Sequence, residues 1–130
     1  MTGTKTWPGP IAAITLFADD LAATRQFYLD VFDLPVVFED SASAVFRFGE
    51  TLVNLLSTAN APELVAPATV AGPDAGPRAV LTVEVDDVDA TCVDLRARGV
   101  ELLNGPMDRP WGVRTASFRD PAGHIWEVGA

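Results

Sequence analysis

The same letters return at a fixed distance along this chain. A shift of 67 residues lays Thr15, Asp19, Asp20, Ala23 and Thr24 on Thr82, Asp86, Asp87, Ala90 and Thr91. Farther on, Phe46-Arg47 matches Phe118-Arg119, and Asn54 falls opposite Glu127 after a one-residue adjustment at a turn. A repeat of this kind marks one supersecondary unit present twice, with a cleft expected between the two copies.

The hydrophobic pattern supplies the unit. Ile11 to Ala18 reads as a strand, and Asp19-Asp20 offers a helix N-cap. Leu21, Thr24, Tyr28, Val31 and Phe32 then recur at helical spacing, which predicts a helix over 21–32 that ends before Pro35. Pro35 to Glu39 is extended, and Ala44–Phe48 and Thr51–Leu56 form a hairpin around Gly49-Glu50. The second copy has a strand over Ala79–Val85 and a helix marked by Val88, Thr91, Leu95 and Arg98 that closes at Gly99. A short strand, Glu101–Leu103, precedes a loop from Asn104 to Gly112. Between the copies, Pro62, Pro67, Pro73 and Pro77 with Gly72 and Gly76 exclude a long helix or central strand. The expected organisation is a single α+β domain of two tandem βαβββ modules, at about 11–57 and 79–129, joined by a linker over 58–78. Residues 1–10 read as a loose arm, whose Trp7 is expected to cover a core edge or a partner subunit.

Composition narrows the partners. The chain has 130 residues, 48% of them hydrophobic, which suits one compact domain and excludes disorder. Its net charge of −9 repels phosphate backbones, so nucleic acid is not an expected partner. Cys92 is the only cysteine and lies in a helical pattern, which rules out an internal disulfide and a cysteine zinc site. The apolar run before Asp19 is too short to span a membrane, and the chain reads as cytoplasmic.

The densest set of signals lies near the C-terminus, from Arg109 to Val128. Asp120-Pro121-Ala122-Gly123 suits a type I turn between two strands. Trp111 sits before the first strand in a loop bounded by Pro110 and Gly112, and Glu127 sits in the second. Phe46 and Phe48 share a face by alternation, and Phe17 and Phe38 lie in or beside strands. The acidic residues at the helix starts are read as caps.

Paired βαβββ modules, the segments DDLAATRQFY, EVDDVDATCVDLRARGV and FRDPAGHIWEV, and their order resemble the vicinal oxygen chelate superfamily, over about residues 11–128. That group includes glyoxalase I, extradiol dioxygenases, epimerases, fosfomycin-modifying enzymes and bleomycin-binding resistance proteins. The resemblance implies curved mixed sheets around a cleft, and in the enzymes a divalent metal held by one side chain from each of four strands. Here those positions are Ala13, Asn54, Val80 and Glu127. Alanine and valine cannot coordinate, and asparagine is a poor neutral ligand, so no metal and no other cofactor is expected. His124, three residues before Glu127 in an extended segment, points to the other face.

A narrower resemblance, RPWGVRTASFRDPAGHIWEV, is to the bleomycin-binding resistance proteins. Those are metal-free dimers that hold a drug between subunits by aromatic stacking, a role carried over to Trp111. The expected protein is therefore a homodimer that sequesters an aromatic or hydrophobic natural product, an antibiotic, without catalysis. Its ligand-binding residues are expected to be Trp111, Asn54, Glu127, Phe17, Phe38, Phe46, Phe48 and Arg114. A metal-dependent lyase, isomerase or dioxygenase is the alternative. An ordinary structural role for Glu127 is pairing with Arg114 or Arg47.

Overall fold

Each half folds as a strand, a helix and three more strands. A computed structural model describes residues 7–130. The first half comprises β1 (Ala13–Ala18), α1 (Leu21–Phe32), β2 (Val36–Glu39), β3 (Ser43–Phe48) and β4 (Thr51–Ser57). The second comprises β5 (Val80–Glu84), α3 (Val88–Ala97), β6 (Leu102–Asp108), β7 (Arg114–Arg119) and β8 (Ile125–Gly129). Two four-stranded sheets result, ordered β1-β4-β3-β2 and β5-β8-β7-β6. In each, the first and last strands pair parallel and the other pairs are antiparallel.

The repeated letters have a local cause. Asp20 Oδ1 accepts from the Ala23 N–H at 3.0 Å, and Asp87 Oδ1 accepts from the Ala90 N–H at 3.1 Å. Thr24 and Thr91 donate their hydroxyls to the carbonyls of Asp20 and Asp87, at 2.9 and 2.8 Å. Each repeat therefore stores one N-cap that satisfies free N–H groups of the first helical turn. Helix α1 stops at Asp33, which takes a left-handed conformation (φ 53°). The chain after α3 turns at Gly99 (φ 85°), a conformation that costs glycine little.

The two modules share one core. Tyr28, Val31, Phe46, Val53 and Leu55 from the first bury with Val88, Cys92, Leu95, Phe118, Trp126 and Val128 from the second. Trp126 is the hinge-pin of this contact, with Phe48 stacked on it at 5.0 Å between ring centroids and Phe32 at 4.8 Å. Its indole N–H donates to Tyr28 Oη at 2.9 Å, and that hydroxyl donates to Asp120 Oδ2 at 2.7 Å. The other oxygen of Asp120 accepts from the backbone N–H groups of Ala122 and His124, each at 2.9 Å. The Asp-Pro-Ala-Gly turn thus also clamps module two to α1. Arg98 adds a second tie by donating to the Asp30 and Val31 carbonyls at the end of α1.

One expectation is corrected, and two others gain detail. The stretch from Asn104, expected as a loop, continues β6 to Asp108, with one register shift between Leu102 and Asn104 and another between Asn104 and Met107 that spans Gly105-Pro106. The linker carries a short 3-10 turn over Thr58–Asn60 and one turn of helix, α2 (Pro62–Val65). Trp7 is 96% exposed and covers no core edge in this chain, while the arm's first six residues lie outside the described residues. No helix among the described residues is long and apolar enough to cross a membrane.

Candidate functional site

Each sheet has a helix-covered face and an open one. Alternation puts Phe46, Val53 and Leu55, and in the second sheet Phe118, Trp126 and Val128, on the covered faces, where all are buried. The intervening residues form the open faces. On the first sheet the register lines up Thr15, Asn54, Val45 and Phe38 in one row. On the second it lines up Thr82, Glu127, Ser117 and Asn104. The two rows occupy equivalent places in the repeat. The first is polar at one end and apolar at the other; the second is polar throughout.

Hydrogen bonds order the second row. Thr82 Oγ1 donates to Glu127 Oε1 at 2.9 Å, and Ser117 Oγ donates to Asn104 Oδ1 at 3.1 Å. Arg109 reaches over the same face, donating to Asn104 Oδ1 at 3.3 Å and Thr115 Oγ1 at 2.8 Å. In the first row Asn54 Nδ2 approaches Thr15 Oγ1 at 3.5 Å, a long contact, and Asn54 Oδ1 is buried with no partner. A buried amide oxygen without a donor costs about 1–3 kcal/mol, so a ligand N–H or O–H there would recover that energy. Glu127 is half-buried and carries the negative charge of the open faces' two central pairs.

The structure separates the expected ligand-binding residues. Asn54, Glu127, Phe17 and Phe38 lie on the open faces, and Phe38 is 58% exposed. Phe46 and Phe48 do not: alternation turns them to the covered face, where Phe46 packs on Tyr28 and Phe48 on Trp126 and Phe32. Arg114 is likewise turned away from Glu127. It pairs with Asp89 at 2.9 Å and Asp108 at 3.0 Å, and its hydrogen bonds hold the Asp89 carboxyl below the usual range. Neither Arg114 nor Arg47 pairs with Glu127, whose hydrogen bond is to Thr82. Trp111 is 71% exposed at the β6–β7 turn, with the Arg109 guanidinium 6.0 Å from its ring centre. His124 Nε2 lies 2.8 Å from the Phe17 carbonyl oxygen.

The metal implied by the superfamily does not fit these residues. Ala13 and Val80 share the open faces but pair with Leu52 and Ile125, and neither has a donor atom. Directly beside Asn54 stand Thr15 and Val45, and directly beside Glu127 stand Thr82 and Ser117. One carboxylate, one amide and three neutral hydroxyls spread over two sheets are a weak donor set for a divalent ion. Among the described residues no three His, Cys, Asp or Glu side chains are grouped to hold a metal.

Thr15, Thr82, Ser117, Asn104 and Arg109 were not expected as site residues. The two threonines were visible as a matched pair in the repeat. Asn104 and Arg109 were hidden because glycine and proline disguised their strand and the turn after it.

Comparisons with known proteins bear on the whole chain. A sequence profile of the Glyoxalase/Bleomycin resistance protein/Dioxygenase superfamily matches residues 10–128. An uncharacterised protein of Bacillus subtilis, YraH, is 35% identical over 120 residues, covering 88% of this chain and 93% of that one. A crystal structure titled glyoxalase/bleomycin resistance protein/dioxygenase from Nocardioides superposes with a TM-score of 0.86 at 26% identity, over 97% of this chain and 85% of the other. A structure titled lactoylglutathione lyase from Agrobacterium tumefaciens superposes with a TM-score of 0.76 at 28% identity, over 94% of this chain and 93% of the other.

Proposed function

The chain belongs to the glyoxalase/bleomycin resistance protein/dioxygenase superfamily, and from that premise we propose that it is a metal-independent binding protein that sequesters an aromatic or hydrophobic natural product, an antibiotic. The observation that carries this reading is the donor set of the open faces, where Ala13 and Val80 stand at metal positions and Thr15 and Thr82 flank Asn54 and Glu127. These groups recognise donors on a ligand; they do not activate a substrate through a metal. Phe17 and Phe38 supply apolar and aromatic surface beside them. Glu127 favours a ligand with an N–H or cationic group near its planar part.

The protein acts as a homodimer in this reading. Phe38 and Val80, on the open faces, are 58% and 55% exposed, and a second copy would cover them while closing a cleft over the two polar rows. Protection follows from lowering free drug, with no bond made or broken. The test is a titration of metal-free bleomycin and a panel of planar antibiotics, followed by calorimetry. Saturable binding of at least one compound supports the proposal; no saturable binding across the panel refutes it.

The likeness to a lactoylglutathione lyase favours one second reading, an enzyme with Glu127 as base. Turnover of the bound compound with time would establish it.

A further inference from the structure

A second cavity is lined by neither Asn54 nor Glu127, although Phe17 and Ile125 reach it from the open faces. It has a volume of about 460 Å³ and is lined by residues of β1, β5, the linker and the turn before β8. Ile14, Leu16, Val65, Val70, Leu81 and Ile125 give it an apolar lining. This size falls within the usual range for small-molecule sites. Its cover runs from Val65 to Ala79 and is pinned at Gly123: a Cβ on that residue would stand 2.9 Å from the Pro73 carbonyl oxygen.

The polar groups at its rim are committed or balanced. Asp19 Oδ1 accepts from Thr58 at 2.8 Å, and His124 Nε2 meets the Phe17 carbonyl at 2.8 Å. Asp19 and Arg78 bring one charge of each sign. A charged ligand would gain from one and lose to the other, and would desolvate its charge against aliphatic walls. We propose that this seam cavity is a second binding site, for a small uncharged aliphatic molecule, distinct from the site around Asn54 and Glu127. The site uses apolar contact alone for affinity and the linker as its cover.

The test uses 1-octanol as probe, with octanoate and octylammonium as charged counterparts, in the full chain with its methyl groups observed by NMR. Octanol is expected to shift the Ile14, Leu81 and Ile125 methyls saturably. Val70→Trp and Ala71→Trp, both in the cover, fill the cavity and are expected to weaken octanol at least about tenfold. The charged counterparts should bind at least about tenfold more weakly than octanol, and Glu127→Gln should leave octanol binding unchanged. Absence of saturable shifts, binding that survives both filling variants, a charged counterpart that binds as well as octanol, or a loss of octanol binding in Glu127→Gln would each overturn the proposal. None of these outcomes depends on the antibiotic reading, because the probe is aliphatic and Glu127 is untouched by it.

Discussion

Thr82 Oγ1 donates to Glu127 Oε1 at 2.9 Å across the parallel pair β5–β8, and the repeat sets Thr15 against Asn54 in the same relation across β1–β4. The duplication thus reaches beyond the fold to the chemistry of the open faces. Each copy offers one hydroxyl beside one group that can accept. They differ by a charge: module two offers a carboxylate, module one a neutral amide with its oxygen unpartnered.

The first expectation concerns the two kinds of phenylalanine. Phe46 is fully buried and Phe38 mostly exposed. Phe46→Ala should cost about 3–5 kcal/mol in urea unfolding, while Phe38→Ala should stay within about 0.5 kcal/mol. For ligand binding the order reverses: Phe38→Ala should weaken it, and any loss in Phe46→Ala should track loss of folded protein.

This contrast shows what was legible in the sequence. The modules, the helix ends and the caps could be read because they follow from local letters and periods. The matching places of Asn54 and Glu127 in the two modules followed from the repeat. The facing of Phe46 could not be settled from alternation, which says that Phe46 and Phe48 share a face without saying which face α1 covers. The partner of Arg114 was hidden for a related reason: Asp89 lies on α3, far away in sequence. Trp126 did not stand out as the seam between modules, because its contacts with Phe32, Phe48 and Tyr28 are all long-range.

Tyr28 links pH to stability. It is the only tyrosine in the chain, and burial, followed by the nearby Asp120 carboxylate, pushes its hydroxyl far above the ordinary tyrosine value. Unfolding returns it to about 10, so above that pH the unfolded chain releases a proton that the folded chain keeps. This contribution is complete below about pH 10 and declines as pH rises further. Tyrosinate absorbance should appear only as the protein unfolds. Tyr28→Phe should remove that alkaline decline and, at neutral pH, cost about 1–3 kcal/mol by leaving Asp120 Oδ2 and the Trp126 N–H without their partner.

Metal ions should do nothing measurable to the folded state. A ligand held at a hundred times its Kd stabilises by about 2.7 kcal/mol, which shifts Tm by several degrees in a domain of this size. Thermal unfolding with Mg²⁺, Ni²⁺ or Zn²⁺ should give the same Tm as with a chelator. A clear rise that disappears in Glu127→Ala would contradict the reading of the donor set.

Arg114→Ala should leave ligand affinity unchanged, because its guanidinium is engaged by Asp89 and Asp108 on the side away from Glu127. Thermal unfolding should report the loss of those exposed pairs, and calorimetry of ligand binding should not.

The central claim is that Asn54 and Glu127 hold a ligand without a metal. Its most direct measurement is the calorimetric affinity of the tightest compound in the antibiotic panel, taken in excess chelator, for the native protein, Glu127→Gln and Asn54→Ala. The expected result is full affinity in chelator for the native chain and a loss of about tenfold or more in each variant, as for removal of a hydrogen bond of about 1.4 kcal/mol. Affinity that vanishes in chelator, or that survives unchanged in both variants, would contradict it.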